Sequence, residues 1–125
     1  MRGGGCGVNR RKSALKIVNL ELGMPTVPLA LSSLSDALRI ARSDGYLAIK
    51  IIHGYGSSGQ GGAIRTAVQA ELMQRARAGE IRAFIAGEEW RISNEGSWAL
   101  LQARPELKQD SDLGRGNKGI SIVVL

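Results

Sequence analysis

Residues 49–68, IKIIHGYGSSGQGGAIRTAV, restrict the fold more than any other stretch of this chain. Ile49, Ile51 and Ile52 form a short apolar run that reads as a buried strand, with His53 at its end. A loop carrying five glycines follows (Gly54, Gly56, Gly59, Gly61 and Gly62), and the pattern then turns helical. A strand that opens through glycines onto a helix N-terminus is a phosphate-binding geometry. Bare amide N–H groups point outward there, and the helix dipole favours an anion. Glycine suits such a loop because a Cβ would hold the ligand away from the backbone.

Three phosphate ligands compete for this loop. Gly54, Gly56 and Gly59 match G-x-G-x-x-G, the dinucleotide fingerprint. Three further residues, Gln60 to Gly62, precede the helix, whereas the third glycine of the fingerprint should lie inside it. The chain is also short for two mononucleotide-binding halves. A Walker A loop is excluded, because no Gly-Lys-Ser/Thr follows the glycines. The third ligand is a nucleic-acid backbone, met by the loop amides together with His53, Lys50 and Arg65.

Length and composition set the outer bounds. A chain of 125 residues suits one domain with a real core. It has no apolar run long enough to span a membrane, and its start lacks the apolar stretch of a signal peptide. Its one cysteine, Cys6, precludes an internal disulfide and a paired-cysteine metal knuckle. A cytoplasmic monomer is expected. The net charge is +6, but residues 1–19 carry Arg2, Arg10, Arg11, Lys12 and Lys16 and no acid, which leaves the body at +1. The high isoelectric point thus belongs to an N-terminal arm, residues 1–14, rather than to a basic globule. Such an arm either holds nucleic acid by counterion release, with strong salt dependence, or is an ordinary solvated terminus.

The elements can be placed in order. Leu15–Leu22 alternates loosely and reads as strand one. Thr26 is an N-cap, with Pro28 tolerated in the first turn, and Leu31, Leu34, Leu38 and Ala41 form one helical stripe over Leu29–Ser43. Gly45 suits the position after that helix. Tyr46–Ile52 is strand two. Ile64, Ala67, Val68 and Leu72 form the inward face of a second helix, which ends at Gly79. Ile81–Ala86 is strand three and Gly119–Leu125 strand four. Between those two lies an irregular insertion, 87–118, with a short helix over Glu95–Ala103 that breaks before Pro105. The order β-α-β-α-β-(α)-β predicts an α/β fold, an α+β sandwich with a four-stranded mixed sheet and two main helices. Right-handed crossovers make strands one to three parallel, with strand four antiparallel. The edge at the C-terminal ends of the parallel strands should then gather Glu21–Met24, His53–Gly62, Gly87–Arg91, Arg115, Asn117 and Lys118. Ligand sites in open α/β sheets favour this edge.

His53-Gly54-Tyr55-Gly56, a Gly/Ser loop and Gly62-Ala63-Ile64-Arg65 resemble the H-G-x-G…L-R hallmark of the Smr domain, a module noticed first at the C-terminus of MutS2 proteins. Leu20-Glu21-Leu22-Gly23-Met24 stands where that family has L-D-x-H-G, and Gly119-Ile120-Ser121-Ile122-Val123-Val124-Leu125 resembles its closing strand. The resemblance covers residues 15–125. It implies a fold similar to the C-terminal domain of bacterial translation initiation factor three. It also implies binding of DNA or RNA and, in several branches, endonucleolytic nicking.

Each candidate residue carries a functional role and an ordinary one. His53 is a general base or acid, a donor to phosphate, or a structural partner of the glycine loop. Arg65 clamps phosphate or forms a surface ion pair. It sits where a helix N-terminus disfavours a cation, so its placement needs a cause. Arg115, Asn117 and Lys118, with the amides of Gly54, Gly56, Gly61 and Gly62 and the residue Lys50, would grip a nucleic-acid backbone; the ordinary role of Arg115, Asn117 and Lys118 is a polar loop, which the nearby Asp110 and Asp112 favour. Tyr55 would stack on a base. Trp90 and Trp98 either stack on bases or close a small core over the sheet. Glu21 replaces the aspartate of L-D-x-H and Gly23 replaces its histidine, so cleavage chemistry would rest on Glu21 and His53. Weak nicking or none is expected. No cofactor is expected, and no metal site beyond a divalent cation, such as magnesium, should nicking persist. The alternative function is a protein-interaction or nucleotide-binding module that kept the fold.

Overall fold

A computed structural model describes residues 15–21, 26–55 and 61–125. The elements run β1 (Leu15–Asn19), α1 (Val27–Ser43), β2 (Ala48–Ile52), α2 (Gly61–Arg77), β3 (Ala83–Ala86), a 3-10 turn (Gly87–Glu89), α3 (Glu95–Ala103), a second 3-10 turn (Pro105–Gln109) and β4 (Ile120–Val124). The order across the sheet is β1-β2-β4-β3. β1 pairs with β2 in parallel, Leu15 opposite Ala48 through Asn19 opposite Ile52. β4 runs antiparallel to both β2 and β3. Strands one to three therefore point one way, as the crossovers require, and the fourth is inserted between two of them.

Local chemistry explains the helix ends. The Thr26 hydroxyl accepts the Leu29 amide at 3.4 Å, which satisfies one of the free N–H groups of α1. Asn94 caps α3 by accepting the Ser97 amide at 2.9 Å. Gly45, at φ 84°, turns the chain from α1 into β2.

The sheet is covered on both faces. On one face, α1 contributes Ala30, Leu34, Leu38 and Ala41 and α2 contributes Ile64, Val68 and Leu72, packed on Ile49, Ile51 and Val123. On the other, Trp90, Leu100, Leu101 and Leu107 pack on Ala48, Ile85, Ile120 and Ile122. Segment 87–118 is thus the second cover of the sheet, with Trp90 wholly buried at its heart. The strands signalled this in advance: β2 and β4 are apolar on both sides, as strands buried on both faces must be.

Candidate functional site

The expected edge assembles through backbone contacts. The amides of His53 and Gly54 both donate to the Gly119 carbonyl, at 2.9 and 3.0 Å, and this ties the end of β2 to the entry of β4. Gly54 has φ 73°, and a Cβ there would lie 2.8 Å from Cδ of Glu21. The residue after His53 must therefore be one that tolerates left-handed backbone beside that carboxylate. Glu21, His53–Tyr55, Gly87–Glu88 and Asn117–Gly119 meet at this edge. Gly56, Leu22 to Met24 and the N-terminal arm, residues 1–14, lie outside the described residues.

His53 is 0% exposed. Its Nδ1 lies 2.7 Å from the Gly54 carbonyl, which can only accept, so Nδ1 carries the proton. Nε2 then accepts from the Ser121 hydroxyl at 2.9 Å. Burial holds the imidazole pKa below its ordinary value near 6.5. The Arg65 charge adds to this, against the Gly54 carbonyl and the carboxylates of Glu21 and Glu88. The ring is neutral, enclosed and fully bonded. A general base, one of the roles expected of it, needs a nitrogen that reaches water, and neither of these does; the arrangement is that of the other expected role, a structural partner of the glycine loop.

The unfolded chain takes up a proton at His53 near pH 6.5, and the native chain resists it. This contribution to stability is complete above that pH and is lost as pH falls toward the lowered native value. Thermal melts from pH 7.5 down to 5 are expected to show falling stability, and His53→Gln should flatten that part of the curve. An unchanged slope in the variant would remove His53 as its origin.

Two expected phosphate contacts are committed elsewhere. Lys50 does not face the edge. Its ammonium, on a residue 4% exposed, is bonded to Asp110 at 3.0 Å and to Asp112, on the second face of the sheet. Burial alone would lower its pKa. The two aspartates outweigh that and hold it above the ordinary lysine value. Arg65 donates through Nε to the Lys118 carbonyl at 3.1 Å and through its guanidinium to Glu88 at 2.9 Å. These bonds offset the cost of a cation in the first turns of α2 and tie that helix to the loop before β4. Arg65 is a positioning residue here.

An open cleft of about 680 Å³ lies beside Tyr55 and is lined by Ser111, Asp112, Arg115, Gly116, Asn117 and Lys118. Asn117 braces it from within, donating to Asp112 at 3.0 Å and accepting the Gly119 amide at 2.8 Å. Burial would raise the Asp112 pKa, but Asn117 and Lys50 overcome that and keep the carboxyl ionised below its usual range. The Arg115 and Lys118 side chains are exposed and form no ion pair among the described residues. Tyr55 is 57% exposed. Gly61 and Gly62, expected in the loop ahead of the helix, are instead the first residues of α2. Trp98 is half-exposed with the Lys108 ammonium 5.8 Å from its ring centroid, and it does not line the cleft. Among the described residues, no three His, Cys, Asp or Glu side chains form a group able to hold a metal ion. Glu21 alone does not make a magnesium site.

The family model of the Smr domain matches residues 20–91, more than half of the chain. The chain belongs to the Smr domain family. A structural comparison agrees: the crystal structure of the Smr domain of Thermus thermophilus MutS2 superposes with a TM-score of 0.53 at 25% identity, covering 88% of this chain and 96% of that one. The comparison with curated proteins finds no match. The match to the Smr model runs from the end of β1 through the glycine loop to Arg91. The Arg115–Lys118 wall of the cleft lies beyond it.

In this Smr domain Asp110 and Asp112, expected only as acids of a polar loop near Arg115, hold Lys50, while Ser121 and Glu88 pair with His53 and Arg65 without any expectation from the sequence. One signal pointed to the aspartates: a lone lysine between Ile49 and Ile51, in a strand apolar on both faces, requires a buried acid. No described helix is long and apolar enough to cross a membrane.

Proposed function

We propose that this Smr domain binds the phosphate backbone of nucleic acid across the cleft between Tyr55 and Arg115–Lys118, as a binding module with little or no nicking activity. The carrying observation is the pair of exposed cations, Arg115 and Lys118, which form no ion pair among the described residues and stand beside an exposed aromatic ring and the glycine-loop edge. Arg115 offers a planar fork for two phosphate oxygens, and Lys118 a compact charge. Glu88 and the Lys118 carbonyl occupy Arg65, so that side chain sets the height of the loop rather than gripping phosphate. Phosphodiester hydrolysis needs a positioned water, stabilisation of developing charge and a proton source. The cations supply the second. His53 is enclosed, glycine stands at position 23 in place of the family's histidine, and Glu21 is left as the carboxylate of that motif.

The test is a salt titration of matched DNA and RNA hairpins against the whole chain and against Arg115→Gln/Lys118→Gln. The double variant is expected to bind about tenfold more weakly at low salt, with the slope of log affinity against log salt shallower by about two. It keeps residues 1–14 intact, so a slope set by the arm would not change. Failure of both hairpins to bind the whole chain at low salt would overturn the proposal.

A further inference from the structure

We infer that the cleft receives an unpaired nucleotide, its base stacked on Tyr55 and its flanking phosphates on Arg115 and Lys118. This deepens the backbone-binding reading and rests on it. Among the described residues, Tyr55 is one of seven large apolar side chains left substantially exposed, with Ile17, Leu29, Ile40, Met73, Ile92 and Trp98. Of these, Tyr55 alone lines the cleft that carries Arg115 and Lys118. The ring lies near the entry of β4: a Cβ on Gly119 would stand 3.5 Å from its Cδ1. Its hydroxyl has no hydrogen-bond partner among the described residues. A flat, exposed ring beside a strand end, with charge to one side, is a stacking platform of the kind that single-strand binders use.

The geometry of nucleic acid supplies the rest. In a continuous duplex the base faces are covered by their neighbours, so a protein ring can reach only edges and backbone. A ring that is to stack needs a base at an end, in a gap or in a loop. The cleft, at about 680 Å³, falls within the ~300–1,000 Å³ range of small-molecule sites. That volume suits one nucleotide unit. Duplex would then be held through phosphates alone, and a duplex with an unpaired tail through phosphates plus one stacked base.

The experiment compares a blunt hairpin with the same hairpin carrying a short single-stranded tail, in DNA and in RNA, by fluorescence anisotropy with the whole chain. The tail is expected to raise wild-type affinity about tenfold, the usual worth of one stacked base. Tyr55→Phe should keep that preference. Tyr55→Ala should lose it, its affinities for the tailed and blunt hairpins converging, with an unchanged melting temperature because the side chain is exposed. Arg115→Gln/Lys118→Gln should weaken both probes and leave their ratio nearly intact. Equal wild-type affinity for the two probes overturns the stacked-base inference and leaves backbone binding standing. So does a preference that survives in Tyr55→Ala. If the whole chain binds neither probe at low salt, both readings fall together.

Discussion

Lys50→Ala is expected to destabilise the domain by about 3–5 kcal/mol, the usual cost of removing one partner from a buried ion pair. The Lys50 ammonium lies between Asp110, at 3.0 Å, and Asp112. Asp110 also accepts the indole N–H of Trp90 at 2.9 Å. Alanine leaves two carboxylates close together with no cation between them, Asp110 buried and Asp112 at the wall of the cleft. The loss is a large share of the ~5–15 kcal/mol that holds a domain of this size. The melting temperature followed by circular dichroism should fall by about 10 °C or more. Lys50→Met combined with Asp110→Asn and Asp112→Asn removes the charges together and should recover most of the loss. A single variant that melts within a degree or two of wild type would mean that solvent reaches this triad. At temperatures where the variant is still folded, the salt slope of hairpin binding should match wild type, because Lys50 does not face the ligand.

Gly87→Ala should be nearly as damaging, for a steric reason. Gly87 follows β3 and is buried against the turn that enters β4. A Cβ there would fall on the Asn117 carbonyl oxygen and 2.7 Å from the Ile120 carbonyl. Both obstacles are backbone, and neither yields as a flexible side chain does. Ala86 is paired with Ser121 in the ladder, so β3 and β4 cannot separate without breaking hydrogen bonds. We expect a loss of about 3 kcal/mol, at the upper end of the cost of overpacking. A second effect separates this variant from Lys50→Ala. The displaced turn carries Asn117 and Lys118, so hairpin affinity should fall even where the protein is fully folded. A variant with normal melting and normal affinity would show that the turn has slack.

Much of this architecture could be read from residue order. The strands and helices stand out because their apolar residues repeat at periods of two and about 3.6, and because Thr26 and Gly45 mark the ends of α1. Edge convergence followed from strand direction alone. What resisted reading was pairing over long separations. Lys50 meets its aspartates sixty residues away, and Arg65 meets Glu88 across the sheet edge. The apolar strand around Lys50 asks for a buried acid, but nothing local says which of the distant carboxylates supplies it. His53 posed the same difficulty. Its place before the glycines suggested chemistry, while its burial under α2 and its bond to Ser121 depend on how β4 threads between its neighbours. Segment 87–118 lacked a long amphipathic pattern, so its role as a cover emerged only with Trp90 in place.

That threading governs the order in which the molecule can be assembled. The last strand of the domain is an interior strand of the sheet, flanked by β2 and β3, which were synthesised long before it. Until Ile120–Val124 arrives, each of those strands has a bare inner edge. Val123 belongs to one core, and Ile120 and Ile122 belong to the other, so neither layer can close ahead of its counterpart. Pairing of β4 with β2 and β3 is therefore the long-range step of this fold, and the same strand entry, through the Gly119 carbonyl, fixes the end of β2 beside the cleft.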